Sequence, residues 1–268
     1  MKKMLLLFAV ILTAFSCNVT ESIIINENGS GEYLTTYDMG DAITMFAESM
    51  GGGKSGDSGE KKEGGEKMDT TMVFRDIMEE NKDSIAALPE DKRLMMESLK
   101  DMYMRMYMDE DKGEMEIGIG MNFKSMNDLK DIQDKLRKAQ TLNERNSDMD
   151  QLKDNPMLGM FFGNESSDLK YTYDGNAFTR NTYFELPEGQ TMEDVVFNED
   201  ELQDKELMKY FESAYYTVEL TFPKKIKSHS VKDAKVSDDG KTLTYKANWI
   251  DYLKDPKRLD VNVEFVDE

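Results

Sequence analysis

The residue types that perform most acid–base and nucleophilic catalysis are scarce in this chain. Its 268 residues include one histidine and one cysteine. A Ser-His-Asp or Cys-His arrangement needs a histidine beside its nucleophile. His229 stands in the polar, basic segment 227–230, which predicts a surface position. We therefore predict no catalytic residue from the sequence.

Methionine is the unusual residue, with 22 copies. Two stretches place it, or isoleucine, at every second position: Met102, Met104, Met106 and Met108, then Met115, Ile117, Ile119 and Met121. Thioethers bind Cu(I), but neighbouring sulfurs on one face of a strand stand about 6.5–7 Å apart and cannot converge on one ion. Core packing is the first interpretation. The second is an apolar ligand surface, because methionine side chains adapt to varied ligands.

Carboxylates are abundant, at 54 against 34 basic groups, for a net charge of −20. Such a charge repels a phosphate backbone and argues against nucleic acid as a partner. Paired carboxylates hydrolyse glycosides, but no spacing here selects one pair. The acidic runs 109–111 and 148–150 lack the glycine and glutamate of an EF-hand loop. We expect no metal and no cofactor.

The N-terminus has the features of an export signal. Lys2 and Lys3 precede an apolar stretch of 12 residues, Met4 to Phe15. A membrane-spanning helix needs about 20 residues, whereas a secretory signal has this shorter length and these flanks. Small residues at positions 14 and 16 then precede Cys17, and the chain becomes polar.

These residues resemble a bacterial lipoprotein signal with its lipobox. Ala14 and Phe15 stand where the usual box has leucine and a small residue, as in the looser boxes of Bacteroidota. The resemblance implies a signal peptide over 1–16, palmitate-type acylation of Cys17, and a lipid anchor in a membrane of the cell envelope. Asn18 is not the aspartate that retains enteric lipoproteins in the inner membrane, so the outer membrane is favoured and its face is left open.

The mature chain begins with a predicted hairpin, 23–25 with 32–37, around Asn28-Gly29. A short helix is predicted over 41–50. Residues 51–67 contain seven glycines and no apolar side chain, which predicts a flexible loop. A body over 68–268 follows, and we expect it to form one domain with 17–50.

The methionine stretches predict a hairpin around the polar segment 109–113, with one apolar face. A second possibility stays open, because positions 95, 99, 102 and 106 also fit a helix continuing from Pro89. That helix is expected to bury Leu94, Met95 and Leu99. Upstream of that helix, a strand is predicted between Met68 and Met78, around residues 70–74.

Further elements complete an α+β pattern without repeated βαβ units. We predict a helix from a capping box at Ser125 and Asp128, a hairpin of 169–174 with 177–184, and a helix from Asn198. The C-terminal part of the chain is predicted to contain three strands, each with alternate residues on its inward face. These inward residues are Tyr216, Val218, Leu220 and Phe222, then Leu243, Tyr245, Ala247 and Trp249, then Val261, Val263 and Phe265. The helix from Ser125 is expected to bury Leu129, Ile132, Leu136 and Ala139. Antiparallel hairpins and sheet with interspersed helices are therefore expected.

The order of these elements carries a second resemblance. A hairpin just after a lipoprotein cysteine, then segments 220–223 and 237–244 and a tryptophan-containing strand, resemble the LppM-type group of bacterial lipoproteins. That resemblance implies an α+β fold with an apolar surface that accommodates lipid. The expected function is a non-enzymatic, lipid-anchored envelope module that binds lipid or protein. The alternative is an envelope hydrolase with an unidentified carboxylate pair.

Overall fold

The computed structural model describes residues 18–38, 67–109, 112–130, 132, 135, 167–184 and 212–267. Its strands are β1 Val19–Ile25, β2 Gly31–Asp38, β3 Lys67–Val73, β4 Met102–Asp109, β5 Glu114–Phe123, β6 Ser167–Tyr173, β7 Ala177–Phe184, β8 Tyr215–Thr221, β9 Ile226–His229, β10 Lys235–Val236, β11 Thr242–Asn248 and β12 Val261–Phe265. Its α-helices are α1 Phe74–Glu80, α2 Lys82–Ala86, α3 Glu90–Leu99 and α4 Trp249–Lys254. Two 3₁₀ helices cover Met126–Leu129 and Pro256–Leu259. This strand-rich arrangement fits the expected α+β class.

The strands form two sheets. The larger has the order β10-β11-β8-β1-β2-β5-β4-β3, and the smaller has the order β6-β7-β12-β9. Strand β1 pairs antiparallel with β2 but parallel with β8. The expectation of antiparallel hairpins alone was therefore incomplete, because a parallel pair joins segments remote in sequence and leaves no local turn signal.

The register places alternate residues of the large sheet on one face. Val19, Glu21 and Ile23 lie opposite Tyr37, Thr35 and Tyr33 of β2, which lie opposite Ile117, Ile119 and Met121 of β5. The smaller sheet covers this face over the central strands. Ring centroids lie 6.1 Å apart for Tyr33 and Tyr171, and 5.2 Å apart for Phe178 and Phe222.

The two methionine stretches form the predicted hairpin of β4 and β5. The alternative, a helix that continues from Pro89 through these residues, is wrong. Helix α3 ends at Leu99 and β4 begins at Met102. Leu99 is buried as expected and Met95 half-buried, but Leu94 is 64% exposed. Leu99 is the one fully buried residue of α3. The apolar stripe of this helix is therefore narrower than the sequence spacing indicated, and Leu94 lies outside it.

Two strands, β11 and β3, have boundaries that differ from those predicted from the sequence. Strand β11 ends at Asn248, whose side-chain carbonyl accepts hydrogen bonds from the backbone N–H groups of Ile250 and Asp251 and starts α4. Trp249 is thus helical and buried, stacked on Tyr216 at 5.6 Å. Strand β3 covers Lys67–Val73, so it begins one residue inside the predicted loop. Phe74, predicted as part of the strand, instead begins the helix α1.

The capping box at Ser125 is present, but it starts the 3₁₀ helix Met126–Leu129. Leu129 and Ile132 are buried as expected. Cys17, Leu136 and Ala139 lie outside the described residues, as do the predicted helix 41–50, the loop up to residue 66 and the helix from Asn198.

Candidate apolar binding face

The eight predicted residues lie on one face of β4 and β5. Met102 is opposite Met121, Met104 opposite Ile119, Met106 opposite Ile117 and Met108 opposite Met115. The edge strand β3 adds Met72, Thr70 and Met68, opposite Met104, Met106 and Met108. We call this set the methionine face.

One end of the methionine face belongs to the core. Met102 is 1% exposed, and Ile119 and Met121 are each 3% exposed. They lie near the buried side chains that close this end: Phe74, Leu99 and Leu129. Core packing is therefore the correct interpretation for these three.

The other end is open. Its half-buried side chains are Met104, Met106, Met108, Met115 and Ile117. On β3, Thr70 and Met72 are exposed and Met68 is half-buried. We call these eight the open methionine face. Because none of them carries a charge and six are methionines, the surface suits an apolar, shape-variable ligand.

A buried ion pair lies between the two sheets, on the same face of the large sheet as the methionine face but on the central strand β1. Arg180 of β7 donates from Nε to Oε1 of Glu21 at 2.9 Å and from Nη2 to Oε2 at 3.0 Å. Tyr171 and Tyr216 donate to the same carboxylate at 2.9 and 2.8 Å. Arg180 also donates to the backbone carbonyl of Leu259 at 3.1 Å. Both charged side chains are fully buried, and each charge has several partners.

This environment shifts the pKa values in opposite directions. Burial by itself would raise the pKa of Glu21, but the Arg180 guanidinium and the two tyrosine hydroxyls outweigh it and hold the pKa below its usual value. Burial and the Glu21 charge raise the pKa of Tyr171 and Tyr216. The cluster is therefore an ionised pair surrounded by neutral tyrosines.

Sequence reasoning missed this cluster. Glu21 stands in the inward alternation Val19, Glu21, Ile23, and Arg180 follows Phe178 on the inward side of β7. A charge at an inward position of a strand is the signal that could have found both residues. Their pairing depends on contact between β1 and β7, whose paired residues are 159 positions apart in the sequence.

The described residues give the hydrolase alternative no support. Glu21 and Asp109, the buried carboxylates among them, each hold a cation: Arg180 for Glu21, and Lys67 at 3.1 Å for Asp109. Asp260 has a pKa raised by burial, but it accepts a hydrogen bond from the backbone N–H of Thr182. A general acid and base pair is not assembled from these groups.

Two further points concern the position of His229 and the grouping of side chains that could hold a metal. His229 lies in β9 half-buried, with Nδ1 buried and without a hydrogen-bond partner in the described part of the chain. His229 is therefore less exposed than the predicted surface position implied, because β9 pairs with β12. Among described residues, no three His, Cys, Asp or Glu side chains are grouped to hold a metal.

On the face of the large sheet opposite to the methionine face, the residues near the start of β1 and the end of β2 are polar. A groove of about 360 Å³ there is lined by Asn18, Thr20, Thr36, Asp38, Glu116, Tyr215, Thr217 and Lys246. The Lys246 ammonium lies 3.8 Å from the centre of the Tyr215 ring. The two faces of the large sheet therefore differ in chemistry, one being apolar and the other polar.

Fold and face together define an α+β protein of two sheets with a half-open methionine surface. Its structure is weakly similar to the folded domain of LppM from Mycobacterium tuberculosis, determined by NMR. The identity is 8% and the TM-score 0.37, over 94% of this chain and 92% of that one. No family model matches the chain, and no curated protein matches its sequence. In the described residues, no helix is long and apolar enough to cross a bilayer.

Proposed function

We propose that this chain is a non-enzymatic, lipid-anchored protein of the cell envelope that binds lipid acyl chains on its open methionine face. The observation that carries the proposal is the open end of that face. Thr70 and Met72 are exposed at the edge strand, and the six other side chains of the open methionine face are apolar and half-buried. A contiguous apolar surface that is partly exposed to solvent supports the assignment of a binding site.

Methionine favours lipid as the ligand. Its unbranched, polarizable side chain changes shape at low cost, which matches the disorder of acyl chains. The other face of the hairpin has no methionine: it carries Tyr103, Arg105 and Tyr107 of β4 opposite Gly120, Gly118 and Glu116 of β5.

Binding can be tested by native mass spectrometry of residues 18–268 isolated from the periplasm of the native host. Lipid adducts are expected on the wild-type chain. Thr70→Lys places a charge on the open methionine face and should reduce the adducts strongly. Thr71→Lys is the matched control, because Thr71 is also exposed but on the opposite face of β3, and it should keep them. A wild-type chain without adducts, or equal loss in both variants, contradicts the proposal.

The anchor rests on the position of Cys17 at the end of an export signal. Two or more acyl chains hold a protein stably at a membrane, at about 0.8 kcal/mol per buried CH₂. Cells fed labelled palmitate should incorporate it into the wild-type protein and into Ser16→Ala, which keeps a small residue before the cysteine. Cys17→Ala should lose the label. Palmitate retained in Cys17→Ala would contradict lipidation at this residue.

A further inference from the structure

Strand β3 forms an open edge of the large sheet. Among the strands that the structure describes it pairs only with β4, and that pairing is regular over its seven residues. Six of the seven side chains are exposed, including Met72 at 38% and Val73 at 37%. The outer edge of such a strand offers a row of backbone N–H and C=O groups to which another strand can pair.

The usual protections of an edge strand are weak in β3. It contains no proline and no glycine, and its register with β4 has no bulge. Its two charged residues, Lys67 and Asp69, have opposite signs and partners within the same copy. Lys67 lies 3.1 Å from the Asp109 carboxylate. Arg105 donates to Asp69 at 3.1 and 3.3 Å. The chain has a net charge of −20, but the charges of these four side chains sum to zero.

One register lets two copies pair along this whole edge. A twofold axis perpendicular to the sheet makes the two β3 strands antiparallel, and an axis beside Thr70 sets this residue opposite Thr70 of the second copy. All seven residues then pair, with Met68 opposite Met72, Asp69 opposite Thr71, and Lys67 opposite Val73. Moving the axis to Asp69 or Thr71 shortens the overlap to about five residues, and an axis at Asp69 opposes two carboxylates. The register about Thr70 is therefore the most complete, and it opposes no like charges.

The side-chain pairs of this register already occur within the chain. Two pairs of threonines lie directly opposite each other with their hydroxyl groups hydrogen-bonded at 2.7 and 3.1 Å: Thr172 with Thr179, and Thr221 with Thr242. Two pairs of methionines are also directly opposite: Met102 with Met121, and Met108 with Met115. Because cross-strand side-chain pairs stabilise a sheet, the edge of β3 is complementary to itself.

We infer that the β3 edge docks a second copy of this chain, whose own β3 pairs with it about Thr70 to form a symmetric dimer. The large sheets of the two copies become continuous, and their methionine faces adjoin on one side. One pair of edge strands is a small interface, so the dimer forms at high local concentration, and β3 remains open in dilute protein. The inference goes beyond the proposed function and does not depend on lipid binding.

Disulfide cross-linking of the full-length chain in intact cells of the native host tests the register. Thr70→Cys brings two thiols together at the axis and should give a disulfide-linked dimer after oxidation with copper phenanthroline. The two thiols of Met68→Cys, or of Met72→Cys, lie about 14 Å apart across the axis, beyond the reach of a disulfide. Each of these variants alone should stay monomeric, whereas the two co-expressed should cross-link with each other. The wild-type chain, whose single cysteine is Cys17, sets the background.

Sedimentation of the purified full-length protein in detergent measures the association directly. The wild-type chain should change from monomer to dimer as its concentration rises. Thr70→Lys opposes two ammonium groups at the axis and should stay monomeric. Thr71→Lys is the matched control, because its ammonium faces Asp69 of the second copy, and it should dimerise at least as tightly as the wild type.

Three results overturn the inference: a wild-type chain that is monomeric at every concentration, a Thr70→Cys cross-link no stronger than the background, or equal behaviour of the two lysine variants. Lipid adducts on a chain that stays monomeric would leave the lipid-binding function intact and reject the dimer alone. A chain that dimerises without adducts would reject the lipid-binding function and support the dimer.

Discussion

At the scale of single residues, the buried pair Glu21 and Arg180 is the most consequential feature. The bidentate contact, the two tyrosine hydroxyls and the Leu259 carbonyl give both charges partners in a site without solvent. Removing one partner from a buried pair leaves an uncompensated charge, which costs far more than the pair contributes. The cluster therefore makes the packing of the two sheets specific.

Glu21→Gln should lower the free energy of unfolding by about 3–5 kcal/mol, because Arg180 then lacks a counter-charge. The matched control is Glu219→Gln on β8, where the side chain is exposed on the other face; it should change stability by less than about 0.5 kcal/mol. Urea denaturation of both variants measures the difference. Equal, small effects would contradict a structural role for the pair.

The same variant gives a pH dependence with a defined sign. The folded-state pKa of Glu21 is below its usual value of 4.5, so its stabilising contribution is complete above that value and is lost as the pH falls through the folded-state pKa. Wild-type stability should decline on acidification, and the gap to Glu21→Gln should narrow. A gap that stays constant into strong acid would contradict the lowered pKa.

At the scale of elements, the β4–β5 hairpin shows what local pattern predicts. Period-two alternation was enough to predict both strands and the residues that share a face, since side chains on a strand alternate sides. Exposure along that face was not predictable. Met102 is buried and Met108 half-exposed on identical local pattern, because the covering elements come from elsewhere in the chain.

Gly120 shows a tertiary constraint within the same hairpin. A Cβ atom there would lie 2.5 Å from the Tyr33 carbonyl oxygen and 2.7 Å from the Tyr103 hydroxyl oxygen. Gly120→Ala should therefore cost about 2 kcal/mol in unfolding free energy. Gly118→Ala is the control, because its nearest neighbour is the Leu34 Cδ1 atom at 3.1 Å, which a side-chain rotation relieves. Thermal unfolding that ranks Gly118→Ala as the worse variant would contradict this packing.

At the scale of the whole molecule, β1 pairs with strands that are far apart in the sequence. It lies between β2 and the remote strand β8, and it carries Glu21 to Arg180 of the smaller sheet. Strand β3 lies at the opposite extreme, at the sheet edge with both faces largely exposed. Local stability should follow this difference, since exposed edges open most easily.

Hydrogen exchange measured by mass spectrometry should therefore find slow amides in peptides covering residues 19–25 and fast amides in those covering 67–73. Strand β1 is bonded on both sides, whereas among the strands that the structure describes β3 pairs only with β4. Protection of β3 equal to that of β1 in the lipid-free protein would show that another element covers the edge. Added lipid should slow exchange in β3 if it binds the open methionine face.

The sequence by itself determined two short-range features, the Asn-Gly hairpin and the alternation of methionine and isoleucine, while the export signal with its cysteine stays a prediction. Each is encoded by residues within a few positions of one another, where backbone geometry and hydrophobic period act directly. Only the tertiary structure decided the parallel pairing of β1 with β8, the meeting of Glu21 with Arg180, and which methionines remain open. The first two outcomes depend on contacts between residues more than 150 positions apart, and the third depends on buried side chains outside the β4–β5 hairpin, which the local pattern does not encode.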